Sequence, residues 1–154
     1  MMARKISARR FSFYRADEGA SLVEFALLAP LLVLLLIGLV EVGRYTAFAI
    51  QVGNAARAGA AYGARVGYSN DLSGMDNAAT NDGQLSQITP TATNSCTCAD
   101  GTADAGCTPT NCSASHRIVY VHVTTTGTFK SLFGYPGIPA SIPISATTTL
   151  QVPE

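Results

Sequence analysis

The longest apolar stretch of the chain lies near its N-terminus. Residues 25–40 carry no charge, and over residues 20–40 the only charged side chain is that of Glu24. A helix that crosses a bilayer needs about 20 predominantly apolar residues. Glu41 and Arg44 mark the far edge of the run and are spaced to pair on one face of a helix. The pattern therefore predicts a transmembrane helix over residues 20–43.

The helical pattern continues beyond this run. From Tyr45 to Val66, apolar side chains recur every three or four residues, which is typical of one stripe along an α-helix. Gly59 and Gly63 lie on the stripe and make it thin, so another helix or the domain's own sheet could approach closely there. We predict that the helix continues over residues 44–67 and packs on the globular part that follows.

Pro30 lies inside the predicted helix. It removes one backbone donor and its ring clashes with the carbonyl four residues earlier, which predicts a local kink or an unwound turn. Membrane helices accommodate proline when neighbouring groups satisfy the freed carbonyl, so an ordinary membrane-helix proline and a hinge both fit the pattern.

The rest of the chain changes from turn-rich to strand-like. Residues 68–94 are rich in Asn, Asp, Gly, Ser and Thr, which favour turns, and only a short helix at 75–81 is predicted there. Alternation of apolar residues predicts strands within 117–126 and 142–152. Pro143 cannot donate to a ladder, so it places the start of the second strand at an edge or before pairing begins.

The connection between these two strands is unusually apolar. Its large apolar side chains are Phe129, Leu132, Phe133, Tyr135 and Ile138. Such a loop either folds back over the sheet or packs on a partner, and we prefer the first interpretation because long loops usually carry their own packing.

Charge is distributed unevenly along the chain. Five of the ten Lys and Arg residues precede the apolar run: Arg4, Lys5, Arg9, Arg10 and Arg15. The positive-inside rule therefore predicts a cytoplasmic N-terminus and an extracytoplasmic C-terminal domain. A cleaved secretory signal is the alternative, but the run exceeds the usual core of about 7–15 residues. The remaining basic residues are widely separated, so nucleic-acid binding is not expected.

Four cysteines fall in the extracytoplasmic part: Cys96, Cys98, Cys107 and Cys112. In that compartment they indicate two disulfides, and the close spacing of the first two predicts that each reaches one of the last two. Zinc is the competing interpretation, but C-x-C followed by C-x4-C matches zinc ribbons poorly, and His116 and His122 would lie roughly 20 Å apart on a strand. We expect no metal. The predicted fold class is α+β, with a long N-terminal transmembrane and amphipathic helix followed by a small disulfide-bonded domain, residues 68–154, that contains an antiparallel sheet.

Glu24 is the one unusual residue of the apolar run. An ionisable group within the hydrocarbon costs a few kcal/mol, and its simplest explanation is that it lies near enough to the cytoplasmic face to reach water. If the chain were cut between Gly19 and Ala20, however, the new amine would lie one helical turn from Glu24 and on the same face. The carboxylate would then have a cation to pair with.

These residues resemble a known family. The sequence G-A-S-L-V-E-F, preceded by a basic leader and followed by an apolar helix, resembles the prepilin peptidase site of type IV pilins in the form found in tight-adherence (Flp) pili. More narrowly, residues 9–64 resemble a TadE-like minor pilin, or pseudopilin. The strand-rich residues 117–152 resemble the family more weakly, and residues 69–111 match it only loosely.

The resemblance implies a pathway and a set of partners. It implies that a prepilin peptidase removes the leader, residues 1–19, by cleavage after Gly19, and that Ala20 becomes the new N-terminus, methylated or not. It implies that Glu24 pairs with an N-terminal amine as subunits enter a filament. The implied partners are the peptidase, other pilins, the pilus assembly machinery and membrane lipid. The implied location is the bacterial inner membrane, crossed once, and the assembled subunit would reach the extracellular pilus.

No catalytic motif accompanies these features. No serine lies in a nucleophile elbow, and no Gly-rich phosphate loop is present, so neither an enzyme nor a cofactor is predicted. Two functions remain: a structural and assembly subunit of a pilus, which we prefer, and a permanently signal-anchored membrane protein whose outer domain binds a ligand. Only the first requires Gly19.

Overall fold

A computed structural model describes residues 17–83, 88–104, 106–107, 112, 115–134, 137 and 139–153. Most of the predicted leader, together with Tyr135 and Ile138, lies outside these residues. The chain forms two compact units, of which the first ends at Val40 and the second begins at Glu41.

Helix α1 spans Asp17–Gly63, 47 residues, and confirms the predicted long N-terminal helix. It ends a few residues earlier than the apolar stripe suggests. The last turn tightens, because the Arg65 N–H bonds to the Tyr62 carbonyl three residues back, and Gly67 then adopts a φ of 85°. Only a residue without a Cβ adopts that backbone conformation at little cost, so the chain turns away from the helix there.

The second unit is an α+β domain. Helix α2 spans Leu72–Gly83, longer than the predicted segment 75–81. Four strands follow: β1 Ile88–Cys98, β2 Ala103–Asp104, β3 Arg117–Lys130 and β4 Ser141–Gln151. They form one antiparallel sheet in the order β2-β1-β3-β4, in which β2 is only two residues long. The predicted antiparallel sheet is confirmed, but β1 was not predicted.

Residues 41–63 of α1 pack on one face of this sheet. Val52, Ala55, Ala56 and Ala60 are fully buried, and Ala60 clusters with Val121 and Val123 of β3 and with Met75 of α2. Burying a valine side chain contributes about 1.5–3 kcal/mol. A buried hydroxyl adds a directional tie, because Thr125 Oγ1 donates to the Val52 carbonyl at 2.7 Å. The prediction that this part of the helix lies on its own domain is confirmed.

The two glycines of the stripe permit this close packing. A Cβ built on Gly59 would lie 2.8 Å from the Met75 carbonyl oxygen and 3.0 Å from Val123 Cγ1, and one on Gly63 would lie 2.5 Å from Met75 Sδ. The space beside these two glycines is therefore occupied by α2 and β3 of the same domain.

Helix α2 is attached to the end of α1 through Asp71. The Asp71 carboxylate accepts the Gly74 N–H at 2.9 Å and the Tyr62 hydroxyl at 2.8 Å. The Gly74 N–H, then the Tyr62 and Ser73 hydroxyls, lower the pKa of the Asp71 carboxyl. This is a helix N-cap, which satisfies a backbone donor that the first turn leaves without a helical partner.

The far edge of the sheet is formed by β4. Its residue Pro143 lies opposite Thr128 of β3, and pairing begins before it, at Ser141 opposite Lys130. The edge position predicted from the missing donor is therefore correct, whereas pairing does not start after the proline.

The prediction that the connection between β3 and β4 folds back over the sheet is wrong for two of its residues. Phe129 belongs to β3 and is buried, but Leu132 and Phe133 remain 62% and 47% exposed. Strand β3 extends to Lys130 and is longer than predicted, so Phe129 is part of the sheet rather than of the connection.

Substituting Gly59 with alanine should destabilise the domain, because the Met75 backbone carbonyl leaves no room for the new methyl group. We expect a loss of about 1–3 kcal/mol in the free energy of unfolding, measured by thermal unfolding of the protein in detergent. Gly53→Ala is the matched control, since no atom lies within 4 Å of a Cβ at Gly53. It should be neutral or stabilise by up to about 1 kcal/mol. Equal behaviour of the two variants would contradict the close packing.

Candidate functional site

The predicted processing residues lie in the first turns of α1. Gly19 and Ala20 are both exposed, and no atom lies within 4 Å of a Cβ built on Gly19. The peptide bond between them is therefore open to an approaching protein, although in this structure it lies within a helix.

Glu24 lies on the same helix, four residues after Ala20. Residues with this separation stand one above the other on one helical face, which is the geometry that the amine-pairing hypothesis requires. The Glu24 side chain is exposed, and among the described residues it makes no hydrogen bond or ion pair. Its carboxylate is thus available to a group from outside the described part of the chain.

The side chains around Glu24 are apolar and exposed. Most large hydrophobic residues from Leu22 to Val42 show about half or more of their surface, including Phe25, Leu34 and Leu39, whereas Ile37 is half-buried. A continuous apolar surface of this extent requires lipid or another protein to cover it. Gly19–Gly63 is also long and apolar enough to cross a membrane. These properties are those of a membrane anchor.

Pro30 is accommodated within α1 without a break. The helix is continuous from Asp17 to Gly63, so the expected unwound turn is not formed. Because proline has no N–H, the carbonyl of Ala26 lacks its usual helical donor. The kink or hinge at this position stays a prediction.

Glu41 makes contacts that the sequence did not reveal. Its Oε2 accepts a hydrogen bond from Arg44 Nη1 at 3.0 Å, as the three-residue spacing predicts. Its Oε1 accepts the backbone N–H of Leu132 at 3.0 Å. The second contact joins residues 91 positions apart, so no local pattern could have indicated it.

The four cysteines form two disulfides. Cys96 pairs with Cys107 and Cys98 with Cys112, so each member of the C-x-C pair reaches into the following loop. Arg117 donates to the Cys107 carbonyl and links this loop to the start of β3. The thiolates that a zinc site would need are consumed in these bonds, and the described residues contain no cluster of metal ligands.

One serine and one histidine come together on the sheet, which the sequence did not suggest. His122 of β3 lies 2.7 Å from Ser95 Oγ of β1 through Nε2, and 2.8 Å from Thr149 Oγ1 of β4 through Nδ1. A hydrolytic triad needs a carboxylate to orient the imidazole, whereas here a threonine hydroxyl occupies that position. The arrangement cross-links three strands and does not resemble a catalytic site.

Comparison with known proteins finds a family model that matches part of the chain. The model of the family described as TadE-like protein matches residues 19–61. No curated protein and no solved structure matches the chain. The match confirms the resemblance drawn from the N-terminal sequence. It covers Gly19, Ala20, Glu24 and Pro30 but none of the cysteines.

Removing the Cys98–Cys112 disulfide should weaken the α+β domain. The bond closes a separation of 14 residues, and a loop of this size predicts a loss of about 3 kcal/mol when it is opened. The double variant Cys98→Ser and Cys112→Ser, compared with wild type by thermal unfolding, measures this loss. A matched double variant at Cys96 and Cys107, whose separation is 11 residues, should lose a similar amount. Wild-type stability in both would contradict a structural role.

Proposed function

Because residues 19–61 match the TadE-like family, we propose that this chain is a minor pilin, a structural and assembly subunit of a tight-adherence pilus. A prepilin peptidase processes it at Gly19. The observation that carries the proposal is the extent of the match, which begins at the proposed cleavage residue and includes Glu24. The family is one of pilus structure and assembly rather than of enzymes. At the coarser level, the match indicates a pilus-associated protein.

The exposed apolar surface of α1 supports this proposal. The same surface can be covered by lipid before assembly and by the helices of other pilins afterwards, because both present hydrocarbon. A helix that passes between these environments must not depend on a permanent polar partner along most of its length. Residues 25–40 meet that condition, since none of them is charged.

Glu24 supports the proposal because placing its carboxylate in hydrocarbon costs free energy that a partner would offset. A carboxylate within hydrocarbon costs about 2.5–3.5 kcal/mol near the bilayer centre on insertion scales, and less near the interface. Cleavage after Gly19 would create an amine on Ala20, one helical turn from Glu24 of the same chain. The processed amine of a neighbouring subunit is the alternative partner. Pairing of the two charges would offset the cost, and it becomes available only after processing. Cleavage would therefore prepare the helix for assembly.

The outer domain has cross-links that suit a compartment outside the cytoplasm. Two disulfides hold the loops next to β1, and hydroxyl contacts such as Thr124 to Thr147 join neighbouring strands on the face opposite α1. In the proposed topology the N-terminus is cytoplasmic, this domain is extracytoplasmic and the subunit reaches the pilus after assembly. The proposed partners are the peptidase, other pilins, the assembly machinery and membrane lipid.

Gly19→Val should abolish processing, because a branched side chain replaces the small residue at the proposed cleavage site. We expect only full-length chain when the variant is expressed with a prepilin peptidase, as judged by gel mobility and N-terminal sequencing. Gly38→Val is the matched control, since it also places a valine on α1 where a Cβ meets no atom within 4 Å. It should be processed normally. If the Gly19 variant were cut at the same bond, or wild type were never cut, a permanently anchored protein would be the better interpretation.

Glu24→Ala should leave processing intact and impair assembly. Without the carboxylate, the new amine enters an apolar environment unpaired, and a loss of about 1.4 kcal/mol or more corresponds to at least about tenfold less incorporation. Immunoblots of sheared pili and of the membrane pool give the ratio. Val23→Ala, at the preceding exposed position of the helix, should assemble as wild type. Normal incorporation of the Glu24 variant would contradict the pairing.

A further inference from the structure

One loop of the outer domain is held against α1 at a particular residue. The loop comprises residues 131–134, which we call the 131–134 loop. Its Leu132 N–H donates to Glu41 Oε1 at 3.0 Å. The Glu41 side chain is only 13% exposed and is also paired with Arg44. The loop is thus tied to α1 through an ion-paired, mostly buried carboxylate.

The position of this tie along the chain is informative. Glu41 directly follows the last residue of the uncharged run, Val40. In the membrane-spanning interpretation, Glu41 and Arg44 mark the level at which the helix leaves the hydrocarbon. The backbone N–H of Leu132, which bonds to Glu41, therefore lies close to that level.

The loop presents two large apolar side chains there. Leu132 and Phe133 are adjacent in sequence and both exposed. Single exposed apolar residues are common on protein surfaces, but two adjacent ones form a larger apolar patch. Behind the pair, the ring of Phe129 packs against Tyr45 and lies under the Arg44 guanidinium, so the strand residue before the loop is packed on α1.

The charge beside the loop suits a lipid surface. Lys130, the last residue of β3, is exposed immediately before the loop. A lysine next to an apolar loop can extend its ammonium toward lipid phosphates while its methylene groups remain at the apolar level. Apolar tips flanked by a cation are typical of segments that lie in the interface of a bilayer.

We propose that the 131–134 loop inserts Leu132 and Phe133 into the headgroup boundary of the bilayer that α1 crosses, and that Glu41 holds the loop at that depth. The outer domain then has a second contact with the membrane besides its helix. This fixes the face that the domain turns toward the lipid before assembly. The proposal rests on α1 being a membrane helix and does not depend on cleavage at Gly19.

The absence of tryptophan from the chain allows a direct test. Phe133→Trp, in the full-length protein reconstituted into phosphatidylcholine vesicles, reports on the loop through its fluorescence. Lipids brominated on the acyl chain near the headgroup should quench it by at least about half, whereas aqueous acrylamide should quench it weakly. Leu34→Trp, within the apolar run, is the positive control for contact with brominated lipid.

Tyr120→Trp is the matched control on the same strand. Tyr120 is ten residues from Lys130 along β3, roughly 33 Å at the rise of an extended strand. Its tryptophan should be quenched by acrylamide and not by brominated lipid. If the tryptophan at residue 133 behaved like the one at residue 120, the loop would be in water and the proposal would fail. Protection from both quenchers would show that protein covers the loop, which would also overturn it.

A second variant tests the tie. Glu41→Ala in the Phe133→Trp background removes the acceptor of the Leu132 N–H, and quenching by brominated lipid should fall by about half or more. Thr46→Ala, which alters an exposed side chain bonded only to carbonyls of its own helix, should leave the quenching unchanged. Unchanged quenching in the Glu41 variant would show that the carboxylate does not position the loop. The experiment uses unprocessed chain without peptidase, so its failure is separate from failure of the pilin proposal.

Discussion

The close approach of the small-residue face of α1 to β3 and α2 is the contact on which the α+β domain depends. Alanines, glycines and Val52 leave so little side-chain volume that the Val52 carbonyl accepts a hydrogen bond from Thr125 of the sheet. A face of this kind gains little from any one side chain, and its stability comes from dense packing over several turns. The sheet and this part of α1 therefore stabilise each other.

One helix serves two environments. Residues before Glu41 expose branched and aromatic apolar side chains, whereas the residues after it bury small ones. The change occurs at a carboxylate that is paired with Arg44 and bonded to the loop after β3. This division explains how a family match confined to residues 19–61 can cover both a membrane segment and the central element of a folded domain.

Sequence patterns predicted those parts of the fold that have a simple period. The long helix, β3 and β4 all carry regular apolar spacing, and the cysteines carry their own chemistry. Strand β1 was not predicted because its alternate positions from Thr89 to Thr97 are threonine and serine, which also favour turns, although threonine is β-branched and suits a strand. The contacts of His122 could not be predicted because they depend on strand register. The contact of Glu41 with Leu132 could not be predicted because it depends on how α1 packs against the loop after β3. At the candidate site, Gly19, Ala20 and Glu24 came from a local motif and a helical spacing, so the sequence was sufficient to propose them.

In the proposed pathway, this chain begins as a membrane-spanning precursor and becomes a disulfide-bonded pilus subunit. The most direct test is the intact mass of the wild-type protein, under non-reducing conditions, recovered from cells with and without a prepilin peptidase. The account predicts a chain that lacks residues 1–19 only when the peptidase is present, and that is four hydrogens lighter than the reduced form because of its two disulfides. A full-length chain in both cells would contradict it and leave Glu24 as a carboxylate without a partner at the edge of a permanent membrane anchor.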